Sequence, residues 1–401
     1  MSHDSTVSSA AALSAPMTSL EIRASTSLAA IFGLRLLGMF IILPVFALYA
    51  AGLPGWDKIW IGVALGAYGL TQAVLQTPFG WASDRIGRKP VMYAGLVMFA
   101  IGSFVCASST SVSGIVLGRV LQGAGAISSV ALAMAADLTR DSQRTKAMAI
   151  IGMTIGMMFA LSFVISPILA GTVGVPGIFA LTGILALLAV AVVAFVVPDA
   201  PQVRHAERVK LLAVLANSEL ARLNVGIFAL HAILMAMFVV VPFSLADAGL
   251  PGKDHWQLYL GVFGGSIVLM VPVVKSGRAD AKSRVVFLGA VTLLCIALLM
   301  LALLQQSLWG LAASLLVFFT AFNILEAKLP ALVSQLAPPS AKGSATGVYA
   351  SVQYFGTFVG GALGGVISQH FGGVTVLWFC LGLALVWWIA ALGMGQIRIE
   401  K

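Results

Sequence analysis

Charge is scarce in this chain: only 9% of its 401 residues are charged, 14 of them acidic and 23 basic. With 60% hydrophobic residues and a mean hydropathy of +1.03, a chain of this size cannot stay folded and dispersed in water. That excludes a soluble enzyme or binding module and makes the chain an integral membrane protein. The net charge of +9 would suggest nucleic acid in a soluble protein, but here its distribution makes it a topology signal, and no nucleic-acid partner is expected.

Cysteine is nearly missing as well. Cys106, Cys295 and Cys380 are far apart in apolar runs, so neither a disulfide framework nor a thiolate metal site is indicated. His-Glu-x-x-His, paired intramembrane aspartates and Gly-x-Ser-x-Gly are all absent, which argues against a membrane enzyme; the lack of a Gly-Lys-Ser/Thr phosphate loop argues against ATP-driven transport. No metal or cofactor is expected. The first 24 residues are rich in Ser and Ala and lack a basic n-region joined to a short apolar core, so they do not read as a cleaved signal peptide. Residues 1–27 are expected to be a cytoplasmic lead.

What the chain has in abundance is apolar runs of about 20 residues, the length of one bilayer crossing. Twelve are readable: 28–50, 59–80, 91–109, 113–136, 147–169, 178–197, 223–245, 257–274, 285–303, 308–334, 344–368 and 374–394. Runs this long are helices rather than alternating barrel strands, so the fold class is all-α. With the N-terminus inside, 19 of the 23 basic residues fall on or near the cytoplasmic side; Lys58 and Lys253 fall outside, and Arg35 and Arg119 lie within runs. The positive-inside rule then places both termini in the cytoplasm.

The longest hydrophilic connection, 198–222, reads as a cytoplasmic linker with a short amphipathic helix from Arg204 to Leu215 on the lipid surface. It separates two six-helix bundles, 28–197 and 223–394, with a tail at 395–401. Internal repetition supports that division. Met39-Phe40-Ile41-Ile42-Leu43-Pro44 recurs as Met237-Phe238-Val239-Val240-Val241-Pro242, and Pro78, Arg88 and Gly95 align with Pro272, Lys282 and Gly289. In that register Asp84 meets Arg278, so the loop after the second run is specific to the first half. Two parallel six-helix repeats joined by a linker form the plan of rocking transporters with a site between the halves.

That loop, Gly80-Trp81-Ala82-Ser83-Asp84-Arg85-Ile86-Gly87-Arg88-Lys89-Pro90, concentrates glycine and charge in an apolar chain. Together with Leu117-Gly118-Arg119-Val120-Leu121-Gln122-Gly123-Ala124-Gly125-Ala126 it resembles the loop and helix-four motifs of the major facilitator superfamily, departing where Ala82 replaces the usual Leu. Leu34 to Phe40, Gly69 to Val74, Asp137 to Arg140 and Ala321 to Ala327 are similar to the YajR-type branch of its drug:proton antiporters. Some members of that branch carry a soluble C-terminal domain; with seven residues after the twelfth run, none is expected here. The antiporter motif of helix five departs: Ser162, Ser166-Pro167, Ala170 and Gly171 keep small side chains and the proline but lose most glycines.

The resemblance implies a proton-coupled secondary transporter of a bacterial inner membrane. It would be a monomer among lipids, exporting hydrophobic or amphipathic small molecules by alternating access. Import of a small nutrient is the alternative, and a non-transporting receptor a third reading. It also implies that the loop latches the two halves in the outward-facing state, with Asp84 near the start of helix eleven at Gly343-Ser344 and Arg88 and Asp137 completing a charge network; Gly80 and Gly87 shape the turn. Arg85 and Lys89, flanking the latch, read rather as topology determinants.

Four residues inside the runs are candidates for proton coupling. Glu326 is the only acid well inside a run, able to bind and release a proton as the accessible side changes, or else to form an ion pair with Lys328 beside Pro330. The resemblance implies coupling for Arg119, which could instead tie helices together through backbone carbonyls. Arg35 could attract an anionic group, pair with Glu326, or snorkel to the interface. His231 could titrate or simply be hydrogen-bonded. Met39, Phe40, Gln72, Gln76, Gln122, Asn323, Tyr349 and Gln353 lie on helices that line the family's cavity and suggest a mixed, mainly apolar substrate site.

Overall fold

The computed structural model describes residues 16–200, 216–276, 280–338 and 342–393. No strand occurs among the described residues, and twelve helices are long and apolar enough to cross a bilayer. Spans 1 to 6 are Ser19–Ala50, Lys58–Ile86, Arg88–Ser108, Val112–Asp137, Ser142–Thr172 and Gly174–Phe195. Spans 7 to 12 are Ser218–Asp247, Gly252–Val273, Arg284–Leu304, Leu308–Leu336, Gly343–Phe371 and Gly373–Leu392. Several helices outrun the apolar counts because polar turns extend them past the hydrocarbon layer.

Packing repeats with a period of six. In the first bundle span 1 packs on span 5, span 2 on span 4, and span 3 on spans 4 and 6; in the second, span 7 packs on 11, span 8 on 10, and span 9 on 10 and 12. Two further contacts join the bundles, span 2 on span 11 and span 5 on span 8, and the same pseudo-symmetry exchanges them. Span 1 also reaches span 7.

The sequence repeat is not a perfect structural one. Span 1 is broken at Ile41 and Ile42, where Pro44 opens a second helical piece, Leu43–Ala50. A proline ring collides with the carbonyl four residues back and supplies no N–H, so the break is its ordinary effect. Yet Pro242, its repeat partner, lies inside the continuous helix Ser218–Asp247. Span 4 is also split, at Gly125 to Ile127, so that Arg119 and Ser128 stand on separate helical pieces.

The first helix starts at Ser19, well before the expected residue 28. Thr18 accepts from the Glu21 N–H while Glu21 accepts from the Thr18 N–H, a reciprocal cap that satisfies two terminal donors. Span 7 likewise begins at Ser218, capped by Asn217. The amphipathic linker helix and the Asp84/Arg278 comparison fall on residues outside those described.

Spans 2 and 11 meet through glycine. A Cβ on Gly62 would sit 2.1 Å from the Gly361 carbonyl oxygen, one on Gly69 2.5 Å from that of Tyr354, and one on Gly365 2.5 Å from that of Lys58. Such approach is open only to residues without a side chain, and it is how helices associate where lipid removes the hydrophobic drive. The contact runs from the Lys58 end to mid-membrane and then stops. Near the other end, where the basic residues cluster, Gly80 has only Ser129 of its own bundle nearby, and a Cβ on Gly343 or Gly347 would meet nothing within 4 Å.

The second seam is aromatic. Phe159 and Phe163 of span 5 insert among Phe238 of span 7, Tyr259 and Phe263 of span 8, and Phe319 and Phe322 of span 10. The Phe159 and Phe322 rings stack at 5.2 Å, and Phe40 of span 1 abuts Phe159 edge-on at 4.7 Å. Closer to the basic end, Gly152 and Gly156 of span 5 again face open space. Contacts between the bundles are therefore found along both seams from mid-membrane toward the Lys58 end, while the glycines that flank the seams at the basic end face open space.

Candidate functional site

At the basic end, Gly87 turns the chain between spans 2 and 3 with φ +96°, a conformation that glycine adopts without penalty. The turn brings Arg88 back beneath span 2. Its Nη1 donates to Asp84 Oδ1 at 2.5 Å and to Ser83 Oγ at 2.7 Å, and its Nε donates to Asp137 Oδ2 at 2.9 Å. Arg88 and Asp137 are buried, whereas the Asp84 side chain is 47% exposed. In this structure Asp84 bonds within its own bundle and not to the start of span 11. Lys89 Nζ reaches Asp199 Oδ1 at 2.7 Å, joining this loop to the end of the first bundle, and Arg85 is exposed.

A second clamp at this end involves a residue that sequence reasoning passed over. The buried carboxylate of Glu21 accepts from the backbone N–H, Nε and Nη2 of Arg140, and Arg140 Nη2 also donates to the Pro16 carbonyl. This staples the start of span 1 to the connection between spans 4 and 5. The Thr18-x-x-Glu21 spacing is a capping-box signature and was the available signal.

Mid-membrane, the first bundle holds a polar network centred on Arg35. Its guanidinium donates to Gln72 Oε1 of span 2 and to Ser128 Oγ of span 4, and it lies 5.7 Å from the centroid of the Tyr68 ring. Gln72 Nε2 passes the chain on to Gln76 Oε1 at 2.7 Å. Arg35 thus neither snorkels nor pairs with Glu326, which belongs to the other bundle. Arg119 is buried deeper: Nε donates to the Ala64 carbonyl, Nη1 to Gln122 Oε1, and its Cζ lies 5.1 Å from the Tyr68 centroid. Gln122 in turn donates to Ser103 Oγ. Gln122 therefore faces the interior of the first bundle rather than a cavity between the halves. Met39 and Phe40 are likewise packed, Phe40 into the aromatic seam.

The second bundle holds the other cluster. His231 Nε2 on span 7 contacts Gln353 Nε2 on span 11 at 2.8 Å and stands 3.5 Å from Glu326 Oε1 on span 10. With the Gln353 amide nitrogen turned to it Nε2 accepts, and with the amide turned over it donates to the Gln353 oxygen, so the imidazole tautomer sets the direction of this bond. Among the described residues nothing donates a hydrogen bond to Glu326 Oε1, and the buried Tyr349 hydroxyl has no partner either. Asn323, one turn away, donates to Ser266 Oγ of span 8 at 3.1 Å. The structure brings Glu326, His231 and Gln353 together, and it separates them from Arg35 and Arg119.

Between the clusters stands Tyr354, which no sequence signal singled out. Its hydroxyl lies 3.4 Å from Ser128 Oγ and its ring 6.4 Å from that of Tyr68. Tyr68 and Ser128 were missed too, because a Tyr or Ser in an apolar run carries no mark of what it faces.

The family model of the Major Facilitator Superfamily matches residues 28–361. The inner membrane transport protein YajR of Escherichia coli (strain K12) is 43% identical over 395 residues, covering 96% of this chain and 87% of that protein. Among solved structures, a bacterial homologue of the human lysosomal transporter Spinster, in an inward-facing and occupied conformation, superposes with a TM-score of 0.76 at 13% identity, covering 94% of this chain and 97% of that one. A D-xylose-proton symporter gives 0.75 at 15% identity, with 95% and 99% covered.

Proposed function

The chain belongs to the major facilitator superfamily and is a multi-pass membrane transporter on that plan, and from this premise we propose that it couples proton movement to the transport of hydrophobic or amphipathic small molecules, as an exporter. The basic end then faces the cytoplasm, by the positive-inside rule. With the bundles in contact toward the Lys58 end and the flanking glycines facing open space at the basic end, this conformation is the inward-facing one.

The observation that carries the reading is the 3.5 Å approach of His231 to Glu326, the one acid deep within a span. Proton transfer inside such a pair leaves its net charge unchanged, whereas loss of a proton to one side of the membrane changes it by one. A charge change in the bilayer interior is costly unless the surroundings move to compensate. Span 11 supplies the means of movement. Its Gln353 holds His231, and the adjacent Tyr354 touches the first bundle across the seam. Protonating Nε2 makes it a donor, so the Gln353 amide must turn its oxygen to the ring or part from it while the imidazolium pairs with Glu326, and either change resets the hold on span 11 where it meets span 2. Arg88, Asp84 and Asp137 act as the latch at the cytoplasmic end, with Gly80, Gly87, Arg85 and Lys89 shaping and flanking it. Asp84 engages the second bundle when that end closes.

The lost glycines around Ser166 and Pro167 favour the alternative, proton-linked import. Proteoliposomes containing a pH-sensitive dye test both directions, with ethidium and 4-phenylbutyrate as probes. Export by antiport predicts that probe moves against the proton flow and faster with an imposed gradient. Probe moving with the protons identifies import, and equal rates with and without a gradient contradict the coupling.

A further inference from the structure

Arg35 is a buried cation with neutral company. Its contacts among the described residues are Gln72, Ser128 and the Tyr68 ring, and its Nε makes no hydrogen bond. Arg119 adds a second guanidinium against the same ring, with Nη2 also unbonded, and the buried Tyr68 hydroxyl has no partner among the described residues either. Nothing in the first bundle supplies the balancing charge: its acids, Glu21, Asp57, Asp84, Asp137, Asp141 and Asp199, all lie at span ends. A permanent guanidinium at membrane depth is normally paired, because leaving it with neutral dipoles forfeits charge-assisted bonding.

The position matters as much as the charge. Arg119 is tied into the bundle by the Ala64 carbonyl, but Arg35 is one hydroxyl from the seam: it bonds Ser128, and Ser128 meets Tyr354 of the opposite bundle. Tyr354 belongs to span 11, whose glycine contact with span 2 must part when the Lys58 end opens. The Tyr354–Ser128 contact is a long one, 3.4 Å between the two hydroxyls, so a head group entering from the basic end takes the place of Tyr354 and meets a ready-made set of donors: the Arg35 fork, the Ser128 hydroxyl and the Gln72 amide. A carboxylate fits such a fork with two parallel N–H···O bonds.

We propose that Arg35, with Ser128, Gln72 and Tyr68, is the docking site for the anionic head group of the transported molecule, and that the substrate class is amphipathic carboxylates. The apolar remainder of the molecule then lies along the aromatic seam beside Phe40 and Phe159. This inference rests on the transport reading above and adds the substrate's charge to it.

The test is calorimetric titration of the purified full chain, in uncharged detergent, with 4-phenylbutyrate, 4-phenylbutanol, 4-phenylbutyl-trimethylammonium and 4-phenylbutyl phosphate. Hydrogen bonds to a charged group are worth enough that the parent is expected to bind the carboxylate at least about tenfold more tightly than the alcohol or the ammonium. Arg35→Gln removes that margin and leaves the alcohol's affinity unchanged, and Ser128→Ala narrows it. The phosphate arm defines the head group: a carboxylate binding no more weakly than the phosphate supports the assignment, and a phosphate binding tenfold tighter overturns the carboxylate class. No measurable carboxylate binding, equal affinities for the four probes, or a margin that survives in folded Arg35→Gln also overturns it. Should Arg35→Gln not fold, the parent's ranking and Ser128→Ala decide. Binding is read without a gradient, so loss of proton-driven flux alongside an intact carboxylate preference faults the coupling and leaves this site standing.

Discussion

Gln353 and Tyr354 are consecutive on span 11 and look into different bundles: the Gln353 amide meets His231 at 2.8 Å, and the Tyr354 hydroxyl meets Ser128 at 3.4 Å. Successive side chains on a helix diverge by about 100°, so one turn of backbone touches both polar clusters. In the proposed mechanism a proton event at His231 and Glu326 and an occupancy event at Arg35 act on the same segment, which is what would couple them.

The glycine seam yields the first prediction. A side chain at Gly62 collides with the Gly361 carbonyl, and neither backbone can yield without parting the helices. Gly62→Val is expected to hold the Lys58 end open, so that a cysteine engineered at Leu53 reacts with an impermeant maleimide several times faster than in the parent. Unchanged labelling would show that this seam does not close the protein.

At the opposite end, Asp84→Asn removes the exposed carboxylate proposed to engage the second bundle. The mutation is expected to favour the inward-facing state further and to slow cycling, read as increased labelling of a cysteine near Gly343 and decreased labelling at Leu53. Equal accessibility of both sites in mutant and parent would rule out the latch.

Arg88 and Arg85 separate structure from topology. Arg88 joins Asp137 through a bond between two buried side chains, and removing one partner of such a pair costs about 3–5 kcal/mol. Arg85 is exposed, and its loss costs no more than about 0.5 kcal/mol. Thermal melting in detergent should therefore show a marked loss for Arg88→Ala and almost none for Arg85→Ala.

Glu21→Ala removes both the side-chain acceptor in the cap of span 1 and the staple to Arg140. A capping loss costs about 0.5–2 kcal/mol, so a lower melting temperature is expected, with faster hydrogen exchange confined to the first turns of span 1. Exchange spread evenly over the chain would contradict a local clamp.

The fold is legible in the sequence because the bilayer leaves few alternatives: each crossing needs its own apolar run, and the basic residues mark one side. The Arg88 and Asp137 pair is legible through motif resemblance. Arg35 is visible as a charge out of place, but its partners are not, since Gln72 and Ser128 lie 37 and 93 residues away and only packing joins them. The aromatic seam is invisible for a different reason: a Phe facing lipid and a Phe facing another bundle look alike in an apolar run. Span 1 starts earlier than its hydropathy suggests because Glu21 is neutralised by a distant arginine, a compensation that no local window contains.

The proposed role of Glu326 as carrier of the coupling proton is tested by comparing parent and Glu326→Gln in vesicles under two regimes. In both proteins, exchange of labelled 4-phenylbutyrate at equal pH on the two sides should proceed at similar rates, because rocking with a neutral Gln needs no proton. With a gradient imposed, the parent is expected to accelerate and the mutant to lose at least about tenfold of that acceleration, the scale of a missing protonation step. Full gradient-driven flux in Glu326→Gln, with matching acidification of the vesicle lumen, would contradict the account.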